Sequence, residues 1–508
     1  MRKIFSNALI LVTGLAFLPH PLLLAGTEVV QMNRSVIPRF TLQQAILTAL
    51  QRNASIQIAR EEIERTKGLY IAVRAEALPQ IGANLQIQNT DPKLGSVSSG
   101  DGGGLSGVPT QYSISLQATQ VIFAGGRVIS NIRSATFQRD SSYFGFRDTI
   151  DLVIATVKQQ FYQILLNRAL VGVQEESVKL LQSQLQDQTN RFEAGTVPRF
   201  NVLQAQVALS NQYPVLITAQ NNYRISQLQL AKTLGLDFDP ARGDGAPLEA
   251  VGELLYQPRR MPLEMAIEVA KERRPFLKQQ KATMLSNAEQ VRVARAGYFP
   301  TLNVSAGEDL RSSPISENIN AMRSGYVIGG TGTWAIWDWG ATYGAVKQAD
   351  AILRQSQITY DDAVRQVELE VQQADSNVKQ SAELVKATEQ SVGQAEEALR
   401  LASARLSAGA GTQLEVLNSR VEVTQAQSNR LQALYDYNTA QAGFDRVTAI
   451  EVVYSNELDE PKTRSKLKTD ARPTPAPKPG PLELNQAGNR QPVQTTTTTR
   501  TRTTTSGK

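Results

Sequence analysis

Residues 42–450 are written twice. Set against itself at an offset of 221, the sequence pairs Leu42, Ala45, Ile46 and Ala49 with Leu263, Ala266, Ile267 and Ala270. The same offset pairs Arg74, Ala75 and Pro79 with Arg295, Ala296 and Pro300. Further on, the offset becomes 214. It pairs Phe123, Gly126 and Ala135 with Trp337, Gly340 and Ala349, and Gly195, Leu203, Val207 and Tyr223 with Gly409, Leu417, Val421 and Tyr437. The difference between the offsets falls between Pro79 and Phe123, so one loop there is longer in the first copy. A chain built this way folds as two copies of one structural unit.

Within each copy, the apolar period changes in a fixed order. Leu42–Ala77 and Leu263–Ala296 carry helical spacing, closed by Pro79 and Pro300. Strict alternation follows: Ile81, Ala83, Leu85, Ile87, and after a loop Tyr112, Ile114, Leu116, Ala118, with Gly, Asn, Gln, Ser and Thr between them. The second copy has Leu302, Val304, Ala306, then Tyr326, Ile328, Gly330, Gly332, Trp334, Ile336. Period two predicts strands with one apolar and one polar face. Small-to-medium apolar residues on one side and uncharged polar ones on the other suit a membrane barrel, with lipid outside and water inside. Tyr298, Phe299, Phe123, Trp334, Trp337 and Trp339 gather at the strand ends nearest the helices, as an interfacial aromatic girdle would. Four strands leave open edges, which lipid does not tolerate. Several chains must complete the barrel, and two would give eight strands, too few for an aqueous pore.

The rest of each copy reads as a long helix, a turn and a second helix. Val157, Ile164, Val171, Val178, Leu185 and Phe192 recur every seven residues, matched by Val371, Val378, Val385, Val392, Leu399 and Leu406. This repeat predicts coiled-coil packing, closer in the second copy, where Ala374, Ser381, Thr388, Ala395 and Ala402 take the other seam position. A helix over Gly340–Ala408 would run about 100 Å at 1.5 Å per residue. Pro214, inside the helical stretch 202–234, is expected to kink it.

Composition removes most chemistry. The chain has 508 residues, no cysteine and one histidine, His20. Residues 1–26 read as a secretory signal, with Arg2 and Lys3 before an apolar run and Ala25 or Gly26 for cleavage. That would remove His20, leaving no imidazole for acid–base work. Gly100–Gly104 lacks the Lys-Ser/Thr of a phosphate loop and reads as a hairpin loop; the second hairpin loop is expected over Glu308–Ser324. The acidic pairs Glu61–Glu62 and Asp361–Asp362 read as solvated helix faces. The formal charge is +6. Residues 461–508 hold ten Lys or Arg against two acidic residues, a net of +8, which leaves residues 1–460 at −2. That Pro- and Thr-rich stretch reads as a disordered basic tail, and nucleic-acid binding is not supported. The expected layout is a signal (1–26), an N-terminal extension (27–39), a first repeat (40–235; hairpin about 80–123, coiled coil about 126–235) and a linker (236–260). A second repeat (261–450; hairpin about 301–337, coiled coil about 340–450) and the tail (451–508) follow. The fold class is mainly α with a small antiparallel β part, no enzyme and no cofactor. A coiled-coil surface stalk anchored by a small barrel is the alternative.

FTLQQAILTALQRN from Phe40, IFAGGR from Ile122, and the paired turns RFEAGTVPRFNVLQAQV from Arg191 and RLSAGAGTQLEVLNSRV from Arg405 are similar to the TolC-type outer membrane efflux family. The resemblance covers about Phe40–Ile450. It implies a homotrimer with a 12-stranded barrel in outer membrane lipid and a 12-helix tunnel through the periplasm. It further implies docking to a periplasmic adaptor, an inner-membrane pump, and export of small molecules, or of proteins in type I secretion. By the match, the tips that form the entrance and meet the adaptor are Arg191–Asn201, with Gly195 and Thr196, and Arg405–Glu415, with Gly409 and Gly411. The family's acidic gate positions fall on Glu415 and Asn418, with Asn201 the first-copy counterpart of Glu415. Asn418 is not acidic, and Gly411 stands where the best-known member carries a basic residue, which implies weaker charge selectivity.

Overall fold

A computed structural model describes residues 38–89, 110–237, 248–259, 261–311 and 322–450, together with the backbone of 452–453 and 483–484. The expected signal, nearly all of the N-terminal extension, the Gly100–Gly104 loop and most of the basic tail lie outside the described residues. Two short strands, Val452–Val453 (β7) and Glu483–Leu484 (β8), pair antiparallel within that tail.

Each copy begins with two helices where the helical spacing predicts one: α1 (Leu42–Arg52) and α2 (Ala54–Ala75) in the first, α5 (Leu263–Arg273) and α6 (Pro275–Arg295) in the second. The breaks fall on Asn53 and Arg274, which are repeat equivalents. Asn53 is extended, and its side-chain oxygen accepts from the backbone N–H of Ser55 and Ile56, capping α2. In the second copy Pro275 opens α6, where its missing N–H costs nothing.

The hairpins follow: β2 (Gln80–Asn89) with β3 (Thr110–Ala124), and β5 (Thr301–Arg311) with β6 (Arg323–Thr333). They form one antiparallel sheet in the order β2-β3-β5-β6. Its register places Ile81, Leu85, Ile87, Leu116, Tyr326 and Ile328 on one face, where each is between 55% and 85% exposed. The opposite face carries Asn84, Gln86, Gln88, Ser113, Ser115 and Gln117, which line a concavity. Two expectations need correction. The second loop does not begin at Glu308, because pairing continues to Arg311↔Arg323; Glu308 therefore sits on the apolar face, opposite Leu116 and Tyr326. The last strand ends at Thr333 rather than near 337, because its partner β5 begins at Thr301, which pairs with Thr333; just beyond, the indole N–H of Trp334 donates to the Tyr298 carbonyl.

Two helices of 67 residues each follow the sheet, α3 (Arg127–Glu193) and α7 (Ala341–Ser407). Each turns back into a shorter helix, α4 (Arg199–Thr233) and α8 (Gln413–Thr448); α4 runs through Pro214. Among the described residues no helix is long and apolar enough to cross a membrane. The cores repeat as the sequence does. Ala45, Ala49, Ile56, Val153, Val157 and Leu230 form one cluster, and their equivalents Ala266, Ala270, Leu277, Val367, Val371 and Phe444 form another. The heptad seam is only partly apolar. Val157, Ile164 and Val178 are buried, but towards the turn Gln184 and Gln188 take the buried positions, Leu185 is half-buried and Phe192 is exposed.

Candidate functional site

The two helix–turn–helix tips are closed by the same backbone device. In the first, the N–H of Thr196 donates to the Arg191 carbonyl (2.9 Å) and that of Gly195 to the Phe192 carbonyl (2.9 Å). In the second, Ala410 donates to Arg405 (2.9 Å) and Gly409 to Leu406 (3.1 Å). Gly195 (φ +74°) and Gly409 (φ +72°) occupy the left-handed position this closure needs, which only glycine adopts without steric cost. Thr196 Oγ1 also donates to the Arg191 carbonyl (2.9 Å). Gly411 has an ordinary φ, yet a Cβ there would lie 3.0 Å from Arg405 Cβ, so the turn is folded tightly over the end of α7.

Charge is arranged differently at the two tips. Glu415 lies in the first turn of α8, its N–H donating to the Thr412 cap (3.2 Å), a position where the helix dipole favours a carboxylate. The Arg405 guanidinium is 4.0 Å from the Glu415 carboxylate. Arg405 thus supplies from the end of α7 a cation that the position of Gly411 lacks. Its equivalent Arg191 instead pairs along its own helix with Asp187 (3.0 Å). Asn201, the equivalent of Glu415, is half-buried and uncharged, and Asn418 is exposed one turn beyond Glu415.

Three features went unread in the sequence. Arg420, two residues past Asn418, reaches from α8 to donate to the Leu180 carbonyl of α3 (3.3 Å), and burial lowers its pKa. Residues 248–259, expected as a plain linker, form a strap across both copies. Its strand β4 (Glu249–Ala250) pairs in parallel with β1 (Arg39–Phe40). Arg168 of α3 donates to the Ala250 (2.8 Å) and Gly252 (2.5 Å) carbonyls, while Tyr437 of α8 donates to the Gln257 carbonyl (2.7 Å) and packs its ring, tilted by 58°, 4.8 Å from that of Tyr256. Leu248 and Ala250 are fully buried in the first core, and Leu254 and Tyr256 pack against the cores, but the carbonyls that Arg168 and Tyr437 bind carry no mark in the sequence. Trp337, Asp338 and Trp339 read from the sequence as a strand-to-helix junction; the third unread feature is the backbone strain held there. Gly125 and Gly126 are left-handed in the first copy, and in the second Trp339 (φ +53°) and Gly340 (φ +89°) take the same conformations. Asp338 fixes that turn by accepting from the N–H of Gly340 (3.0 Å) and Thr342 (2.7 Å); hydrogen bonding with the Thr342 side chain, and then with these amides, lowers its pKa. Comparing Gly125 with Trp339 at the 214 offset would have exposed the strain.

Among the described residues no group of His, Asp or Glu could hold a metal ion. A duplicated hairpin and coiled coil, with a sheet apolar on one exposed face and polar on the other, defines a protomer of the TolC-like channel fold. The family model described as outer membrane efflux protein matches residues 45–236 and 266–449, one span in each copy, and the chain belongs to that family. Its members are outer membrane channel proteins rather than enzymes. The chain is 25% identical over 301 residues to the probable efflux pump outer membrane protein TtgC of Pseudomonas putida. That match covers 58% of this chain and 57% of TtgC, so the chain spans a little over half the length of this curated relative. Among solved structures, the Campylobacter jejuni CmeC outer membrane channel superposes with a TM-score of 0.71 at 15% identity, over 80% of this chain and 85% of that one. The Vibrio cholerae outer membrane protein VceC superposes with a TM-score of 0.68 at 16% identity, over 80% and 95%.

Proposed function

We propose that the chain is the outer membrane export channel of a tripartite efflux or type I secretion system. Three copies pool their four-stranded sheets into one barrel and their helices into a periplasmic tunnel. The single observation that carries this reading is the open-edged sheet. One face exposes Ile81, Leu85, Ile87 and Ile328, the other is lined by Asn, Gln and Ser, and among the described residues both outer strands lack a partner on their outer edge. An apolar outside suits lipid and a polar inside suits water, but only if further copies close the edges. Such a duct holds no energy source, so a pump in the inner membrane and a periplasmic adaptor supply cargo and drive. Arg191, Gly195, Thr196, Arg405, Gly409 and Gly411 form the surface offered to the adaptor.

Glu415 and Asn418, with Asn201 as the first-copy counterpart of Glu415, form the periplasmic gate. Three Glu415 carboxylates around one axis would draw cations, each tempered by its own Arg405. Single-channel recording of the purified protein in planar bilayers tests both parts. Wild type should conduct ions with a cation preference, and Glu415→Gln should lower that preference by about twofold or more. A protein that inserts but never conducts would refute the channel, whereas an unchanged preference in the variant would refute only the gate.

A further inference from the structure

Charge is nearly absent from the strands of the sheet, and it is gathered in one place. β2 and β3 hold no charged residue; β5 holds Glu308, Asp309 and Arg311, and β6 holds Arg323. Glu308 lies on the apolar face. The register puts the other three on the polar face, at the end of the sheet farthest from the helices. Arg311 is the strand partner of Arg323 on one side and of Ser113 on the other, and Asp309 is the partner of Gly325 and Ser115. The equivalent positions in the first copy are Thr90, Pro109 and Gln88, all uncharged. The two guanidinium groups therefore stand side by side where the repeat itself does not require them.

Like charges directly opposite on neighbouring strands, with Cα atoms about 4.5–5.5 Å apart, repel. One of the two is answered within the chain. Asp309, two residues back on β5 and on the same face, holds Arg311 at 2.8 Å. Arg323 is exposed, and its guanidinium makes no ion pair among the described residues. Two residues along the same face of β6 stands Gly325, where a Cβ would meet nothing within 4 Å, so the space beside Arg323 and Asp309 is open. Asp309, Arg311 and Ser113 line the concavity of the polar face. Two cations against one carboxylate leave +1 on each chain at this end of it. A guanidinium presents a planar fork of N–H donors that fits two oxygens of a phosphate or carboxylate, and such bonds are stronger than neutral ones.

We propose that Arg311 and Arg323, with the Ser113 hydroxyl beside them, form a binding site for a dissolved oxyanion of the phosphate or carboxylate kind. Asp309 competes with that ligand for Arg311. The proposal rests on the channel reading only in taking the polar face as the water-filled side and its loop end as the exit. A ring of such sites at the exit then carries positive charge, opposite in sign to the Glu415 carboxylates at the entrance, and draws the anionic groups of a passing solute outward.

Inorganic phosphate is the probe, titrated at constant ionic strength into the purified full-length protein in detergent and followed by calorimetry. Wild type should bind it. Arg323→Gln and Arg311→Gln should each weaken binding at least about tenfold, and Asp309→Asn should strengthen it about threefold by releasing Arg311. Arg323→Lys keeps the charge without the fork; it should bind between wild type and Arg323→Gln, and it serves as the test should Arg323→Gln fail to assemble. The basic stretch 461–508 is the same in every protein compared, so its own attraction for phosphate cancels. A wild-type protein that does not bind phosphate, or an Arg323→Gln variant that binds it as well as wild type, overturns the site. Planar-bilayer recordings keep that failure apart from failure of the channel reading. A protein that conducts but does not bind phosphate loses the site alone, and one that binds phosphate but never conducts loses the channel alone.

Discussion

The price of a side chain in the wrong backbone region shows most clearly where equivalent positions differ. The closure that ends α4 uses Gly235 (φ +66°), with the Leu236 N–H donating to the Ala231 carbonyl (3.0 Å). Its equivalent at the end of α8 is Ala449 (φ +49°), closed by Ile450 on Asp445 (3.3 Å). The two copies thus tolerate different residues in one motif, for a steric reason: a Cβ at Gly235 would meet the Arg52 carbonyl oxygen at 2.6 Å. Gly235→Ala is expected to cost about 2–3 kcal/mol, combining left-handed strain with a backbone clash, and Ala449→Gly to stay within about 1 kcal/mol of wild type. Thermal unfolding followed by circular dichroism compares them; equal destabilisation would contradict the argument. Residue chemistry of this kind was half legible. Gly195 and Gly409 announce their turns in the sequence. Arg405 as the partner of Glu415 does not, because the two meet only once the turn has folded.

At the scale of elements, period carries the information. Alternation located the strands and helical spacing located the helices, because both follow from which side chains share a face. The helix break at Asn53 escaped because the spacing of Ala45, Ala49 and Ile56 stays helical across it; a cap, and not a loss of periodicity, interrupts the helix. The heptads misled in another way. They mark a seam, yet near the turn the buried positions of α3 are glutamines, and both amide atoms of Gln184 are buried without a hydrogen bond. A polar seam is weaker than an apolar one, and it lies in the part of the coiled coil that has to move if the tips separate. Gln184→Leu is expected to stabilise the protein by about 1–2 kcal/mol, by removing two unpaired polar atoms from the interior. Chemical denaturation measures this, and a loss of stability would show that the amide has partners in the assembled protein.

For the whole molecule, the question is what locks two equivalent copies into one body. Between the sheet and the tips, the second copy carries an ion pair where the first has two neutral residues. Arg274, at the break between α5 and α6, pairs with Glu370 of α7 (2.5 Å), while Asp148 of α3 and Arg446 of α8 lie within their field. The equivalents of Arg274 and Glu370 are Asn53 and Thr156, and there Asn53 merely donates to the Thr233 carbonyl (2.8 Å). Burial raises the pKa of Asp148, only partly offset by Arg274 and Arg446. Burial also acts to raise that of Glu370, but hydrogen bonds from Gln366 and Arg274 and the charges of Arg274 and Arg446 outweigh it, so the net shift is downward. The two acids therefore pull the stability profile in opposite directions. Glu370 contributes stability above its unfolded pKa, lost as pH falls through its lowered folded value. Asp148 is ionised at a cost above its raised folded pKa, and that cost is relieved as pH falls through it. In wild type the relief at Asp148 comes first on acidification and offsets the later loss at Glu370. Asp148→Asn removes the relief: the variant should melt higher than wild type at pH 7, and its advantage should shrink as pH falls from just above the raised pKa of Asp148 towards the ordinary carboxylate range. Melting curves from pH 7 down to about pH 4 read this directly; a variant that melts lower at neutral pH would mean that the attraction of Asp148 for Arg274 and Arg446 outweighs its burial, and that the ionic cluster ties the copies together as a charge network.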